Sequence, residues 1–184
     1  AIAPGFAAAW FALAEAQEAL GERADAGAAY RKALALAPDD PFGAGARLAR
    51  LDGETPDALA PAYVKGLFDD YAPRFDAHLT QALSYRGPAL ARDAILARGP
   101  RRFARALDLG CGTGLSGAAI RDLCDRLEGC DLSPAMLAQA RAKGCYDTLE
   151  EADLIAFLAA RGEAASDLAL AADVVVYLGD LAPL

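Results

Sequence analysis

"ALDLGCGTGLSG", residues 106–117, sets four glycines behind a short apolar run. An apolar run ending in glycines predicts a strand that turns tightly into a helix, with the backbone free to approach a ligand at the turn. Two frames fit. Gly110, Gly112 and Gly114 form a G-x-G-x-G series, while Gly112, Gly114 and Gly117 form the G-x-G-x-x-G spacing of a dinucleotide loop. Spacing alone does not choose between them.

Charge around the stretch separates the two better. From Arg101 onward apolar runs alternate with helical patterns, which predicts strands near 105–109, 127–131, 146–149 and 168–174 and helices near 113–123, 134–143 and 153–161. That is a Rossmann-like parallel α/β sheet. Every predicted strand end carries an acid: Asp108, Asp131, Asp153 and Asp173. Ligands of such sheets bind at the carboxyl ends of the strands, so these carboxylates are expected to converge there. A pyrophosphate is poorly served by that charge, whereas a cationic, ribose-bearing ligand is well served. The alternative of an NAD(P)-binding oxidoreductase stays open, because Asp131 also lies about 20 residues beyond the loop, where a ribose-binding acid falls in that fold.

With these residues in view, the C-terminal part resembles the class I S-adenosylmethionine-dependent methyltransferases. The resemblance rests on LDLGCGTG (107–114), LEGCDLS (127–133), EADL (151–154) and LALAADVVVYL (168–178). It implies S-adenosyl-L-methionine as cofactor, a methyl acceptor that is a small molecule or a protein, and roles for individual residues. Gly110, Cys111, Gly112 and Gly114 would lie along the methionine and ribose, with Cys111 a small loop residue rather than a redox group. Asp108 would bind the ammonium, Asp131 the ribose hydroxyls, Asp153 the adenine amine, and Leu132, Met136 and Leu154 would pack on the ring. Plain alternatives stand beside two of these: Asp153 as a helix cap and Met136 as core. Asp173 and Tyr177 fall where that family places substrate-facing groups, and structural roles suit both equally. The family's sheet has more strands than the four read here, so residues beyond 184 are expected, and the absent initial Met with a single repeat leads to the same expectation before residue 1.

Upstream, WFALAEAQEALGERADAGAAYRKALALAPDDP (10–41) spaces apolar and small residues helically, with a break at Gly21 and a stop at Pro38;. Trp10, Leu13, Ala14, Ala26, Tyr30, Ala33 and Pro38 make it resemble a tetratricopeptide repeat, with Gln17 where that family favours Tyr;. The resemblance implies a protein-binding role, and the alternative function is an interaction module carrying an inactive methyltransferase-like domain. PFGAGARLARLDGE (41–54) is expected to add a capping helix. Residues 55–100 read as three helices forming a linker or lid, opened at Thr55-Pro56 and Gly87-Pro88;. Tyr71, Phe75, His78 and Leu79 share a face there, with Pro73 expected to separate two helices. Tyr71 and Phe75 are the lid residues expected near the methionine end. The expected division is therefore a tetratricopeptide-like region (1–54), a helical lid (55–100) and the first half of a methyltransferase domain (101–184).

Composition removes several classes. The formal net charge of −8 disfavours nucleic acid;. Cys111, Cys124, Cys130 and Cys145 form no C-x-x-C pair, and with a single histidine no zinc set assembles at ligand spacing;. Reduced thiols and a cytoplasmic setting follow as expectations. The opening run AIAPGFAAAWFALA is shorter than the roughly 20 residues a membrane span needs. His78, the lone histidine, and with it Asp173 and Tyr177, are the candidates for a catalytic base, and none is singled out.

Overall fold

Alanine sets the spacing of the first helices. In the computed structural model, which describes residues 5–54, 58–99, 101–178 and 181–182, α1 runs Ala7–Ala19 and α2 runs Arg23–Leu36. Gly21 adopts a φ of +81°, which lets the N–H groups of Gly21 and Glu22 turn back to the carbonyls of Glu18 and Gln17 and close α1;. Ala26, Ala29, Tyr30 and Ala33 bury one stripe of α2 against Ala14, with Trp10, Phe11 and Leu13 packed around them;. Small side chains allow the close approach and the aromatics fill what remains. Tyr30 donates to the Glu18 carboxylate at 2.8 Å, and burial pushes its phenol up to about 12. Helix α3, Ala44–Asp52, is capped by the Asp40 carboxylate, which accepts from the Ala44 and Gly45 N–H groups at 2.6 and 2.8 Å;.

Between residues 58 and 99 the chain forms two helices, α4 (Pro61–Ala77) and α5 (Gly87–Leu96), where three were expected; the Thr55-Pro56 opening lies outside the described residues. Pro88 stands in the first turn of α5 as anticipated. Pro73 does not separate two helices: it lies inside α4. Proline removes the bond to the Asp69 carbonyl, but Pro73 is on the exposed side of the helix, where water can serve that oxygen. Side-chain bonds from Asp69 and Asp76, described below, hold the helix on both sides of it. Regular α geometry gives way only at His78–Ala82, a π turn. The chain divides into two compact units between Gly66 and Leu67, with Tyr177 falling with the first.

The second unit is built on four parallel strands, β1 (Phe103–Leu109), β2 (Cys124–Asp131), β3 (Thr148–Glu151) and β4 (Leu168–Leu170), in the order β3-β2-β1-β4. Helices α6 (Leu115–Ile120), α7 (Pro134–Lys143) and α8 (Leu154–Ala159) connect them. Ala106 and Leu127 share one face of the sheet and pack with Ile120 and Leu123, and Phe103 joins that cluster from the start of β1. On the alternate positions, buried Glu128 accepts from Arg105 and Arg126 at 2.7 Å and from Arg161, just past α8, at 3.2 Å. Strand β3 starts later than expected, because Asp147 is occupied in bonding both backbone groups of Leu127, at 2.7 and 2.8 Å. Strand β4 stops early, before Asp173 takes a φ of +54°. The chain runs outward from β1 through β2 to β3, then crosses to the other side of β1, so the carboxyl end of β1 is the switch point, the place where sheets of this kind bind ligands.

Candidate functional site

Backbone dihedrals settle the frame of the glycine stretch. Gly110, Gly112 and Gly114 have φ of +64°, +53° and +88°, the left-handed region that side chains disfavour. Gly117 sits inside α6, where an added Cβ would land 2.2 Å from the Tyr146 hydroxyl. Three glycines shape the loop, and the fourth makes room for a tyrosine.

Three of the loop's amide donors are engaged within the protein. The Cys111 N–H bonds the Cys130 carbonyl at 2.8 Å, that of Gly114 the Cys111 carbonyl at 2.9 Å, and that of Gly112 the Asp131 Oδ2 at 2.8 Å. A phosphate-binding loop works by aiming free N–H groups at its ligand; these three point elsewhere. Asp131, at the end of β2, also accepts from the Ser133 N–H at 2.9 Å. A carboxylate offers about four lone-pair positions, so Asp131 retains acceptor capacity. Burial pushes its pKa upward while the backbone donors oppose the rise. Beside it, nothing lies within 4 Å of where a Gly112 Cβ would stand, and Leu132, the residue after Asp131, is half-buried.

The other strand-end acids differ in what their carboxylates accept. Asp108 is 1% exposed and accepts the Tyr146 hydroxyl at 2.7 Å, which places the pair beneath the loop rather than at an open rim. Burial pushes Asp108 up to about 6, with the Tyr146 bond working against the rise and Asp131 adding to it. Asp153 caps α8 by accepting from the Ile155 and Ala156 N–H groups at 2.9 and 3.1 Å, the helix-cap role. Asp173 bonds the Tyr85 hydroxyl, whose pKa is raised chiefly by burial. Met136 is fully buried in α7 and Leu154 nearly so, as core residues are. Cys111 is buried too, and that burial pushes its thiol up. Tyr177 ends a short 3-10 turn, Val175–Tyr177. Next to Gly110, a Cβ would meet Val174 at 2.3 Å, so the segment after β4 packs on the loop after β1.

Helix α4 presents two different faces. Tyr71, Phe75 and His78 stack edge-to-face at 5.1 and 5.7 Å, and the Tyr71 hydroxyl and His78 Nδ1 are hydrogen-bonded. Those rings touch one another, as their spacing predicted. Roughly 100° or more around the helix, at ~100° per residue, Asp76 reaches the loop and Asp69 reaches the start of α7. Asp69 accepts from the Ser133 hydroxyl at 2.6 Å and the Ala135 N–H at 3.2 Å. Asp76 accepts from the Thr113 hydroxyl and from Lys143 Nζ at 2.6 Å. Tyr146, Thr113, Lys143, Asp69 and Asp76 were not foreseen from the sequence. The signal available was the seven-residue spacing of Asp69 and Asp76, which aligns them on one helix face but reads equally as a solvated surface.

Comparisons with known proteins bear on this second unit. Residues 106–182 match the family model of a methyltransferase domain. Human methyltransferase-like protein 27 is 42% identical over 85 residues, 45% of this chain and 34% of that protein. Malonyl-[acyl-carrier protein] O-methyltransferase of Enterobacter lignolyticus is 39% identical over 92 residues, 50% of this chain and 34% of the relative. The chain thus spans about a third of the length of the curated relatives it matches. Among solved structures, magnesium protoporphyrin IX methyltransferase from Synechocystis, crystallised with bound SAM, aligns over 64% of this chain and 63% of its own with a TM-score of 0.50 and 18% identity. That likeness is one of fold. Among the described residues no helix is long and apolar enough to cross a membrane, and no cluster of His, Cys, Asp and Glu is arranged to hold a metal ion.

Proposed function

We propose that this chain carries the cofactor-binding half of an S-adenosylmethionine-dependent methyltransferase that acts on a small-molecule or protein acceptor. One observation carries the reading: the glycine loop has its N–H groups of Cys111, Gly112 and Gly114 engaged within the protein and offers a carboxylate, Asp131, beside open space at Gly112. That donor set fits a ligand with a diol and positive charge and does not fit a pyrophosphate, which weighs against the NAD(P) alternative. The match of residues 106–182 to a methyltransferase domain supports the same reading.

Asp131 would accept the ribose hydroxyls on its remaining lone pairs, and Leu132 would flank the adenine. Gly110, Gly112 and Gly114 would let the backbone lie against the ligand. Asp108, held under the loop by Tyr146, would supply negative potential rather than direct contact. When bound, the cofactor supplies an activated methyl group and its own leaving group, so the protein's part is alignment and exclusion of water. Segment α4 would serve that purpose, tied to the loop by Asp76 and to the start of α7 by Asp69. No side chain is assigned as general base. His78 is exposed and bonded to Tyr71, and a base is required only for an acceptor protonated at the reacting atom.

The N-terminal helices have a second role in this proposal, as a tetratricopeptide-like hairpin that binds a protein partner. Fully buried Ala14, Ala26 and Ala33 with Tyr30 between them are the small-and-large packing of such a repeat. Four buried free thiols suit the cytoplasm. Calorimetric titration of the chain with S-adenosylhomocysteine and, in parallel, with NAD tests the cofactor: saturable binding of the first and none of the second is expected, and the opposite pattern would overturn it.

A further inference from the structure

Thr113, between Gly112 and Gly114, is 1% exposed, and residues from two other segments hold it. Its hydroxyl donates to Asp76 of α4. Its carbonyl accepts from Lys143 Nζ, at the end of α7, at 2.7 Å. Lys143 closes the triangle with an ion pair to Asp76 at 2.6 Å. A loop with three left-handed glycines has little conformational preference of its own, so a bracket on its buried threonine decides how well the loop is formed before any ligand arrives. Attachment of α4 does not depend on this bracket alone, because Asp69 anchors the same helix separately on Ser133 and Ala135 of the α7 N-terminus.

We infer that Lys143 and Asp76 are positioning residues for the cofactor loop: together they fix the hydroxyl and the carbonyl of Thr113 and couple the docking of α4 to ligand binding. The inference rests on the cofactor reading above. Neither side chain needs to touch the ligand. Lys143 and Asp76 are 25% and 40% exposed at the side chain, accessible enough that replacement leaves no deeply buried lone charge.

Calorimetry with S-adenosylhomocysteine on the full chain tests it, comparing the unaltered protein with Lys143→Met, Asp76→Asn and Lys143→Arg. Lys143→Met and Asp76→Asn are each expected to weaken binding about tenfold, the loss typical of one charge-assisted bond. Lys143→Arg, which can still reach both acceptors, is expected to recover binding to within about threefold, a rescue that a merely structural loss would not show. The double variant is expected to be no worse than the weaker single, since both act through one network. Tryptic cleavage after Arg74 in α4 supplies a second readout: the ligand should protect that bond in the unaltered chain and fail to do so in Lys143→Met. If Lys143→Met does not fold, Thr113→Val removes only the hydroxyl end and is expected to weaken binding in the same direction. Unchanged affinity in all the single variants, beside normal binding by the unaltered chain, would overturn the bracket alone. Absence of binding by the unaltered chain would overturn the cofactor reading and the bracket together.

Discussion

The two halves of the sheet rim use the same residue type for different ends. At β1 and β2, Asp108 and Asp131 are tied to the glycine loop, one from beneath through Tyr146 and one from beside it through the Gly112 N–H. At β3 and β4, Asp153 is a helix cap and Asp173 sits in a left-handed turn against Tyr85. A strand-end aspartate is therefore informative only together with what its carboxylate accepts. Donors that are loop amides next to open space support a place in the proposed site; donors that are the first amides of its own helix account for the acid by the fold.

Asp108 gives the largest lever on that contrast. Its folded pKa of about 6 stands above the ordinary 3.8 because burial penalises the charge. A raised carboxylate pKa means the folded state holds the proton longer than the unfolded one, so this group's contribution is full below about pH 4 and is lost as pH rises through 6. About two units correspond to about 3 kcal/mol. Asp108→Asn keeps an acceptor for Tyr146 and removes the ionisation. Urea unfolding should show the variant gaining on the unaltered chain by up to about 3 kcal/mol between pH 4 and pH 8, and parallel curves would mean that Asp108 is better solvated than its burial implies.

Asp131→Asn comes next, through affinity rather than stability. The substitution turns one of two acceptor oxygens into a donor facing amide donors, and should weaken S-adenosylhomocysteine binding about 30-fold, or about 2 kcal/mol. On the other half of the rim, Asp153→Ala should cost about 1 kcal/mol of unfolding free energy by uncapping α8 while changing affinity less than about threefold. If calorimetry instead found the two variants equally weakened, the division between the halves of the rim would fail.

Much of this arrangement was readable before any coordinates. The span of α7 matches its expected 134–143 because Ser133 caps it, Pro134 starts it and Gly144 ends it, all local signals. The order of strands and helices was legible for a similar reason, since alternating apolar periods are a property of the chain itself. What escaped were contacts between distant segments. Tyr146 reads as one aromatic before a strand, and its role depends on three glycines, Gly114, Gly117 and Gly129, packing around its ring from two elements. Pro73 carries a strong local signal for a break, which the anchoring of Asp69 and Asp76 overrides. At Asp153 the helix-cap alternative is the one with hydrogen-bond partners, because a helix begins one residue later and its first amides bond Oδ1.

The smallest expected effect tests whether the aromatic face of α4 belongs to the site at all. His78 is exposed, and its Nδ1 is bonded to Tyr71 on the face turned away from Asp69 and Asp76. His78→Gln retains a polar side chain at a position with no contact to the glycine loop, so unfolding free energy should move by less than about 0.5 kcal/mol, as surface changes do. S-adenosylhomocysteine affinity should change less than about twofold. A loss comparable to that of Asp131→Asn would bring Tyr71, Phe75 and His78 against the ligand and make α4 a helix that binds with both faces.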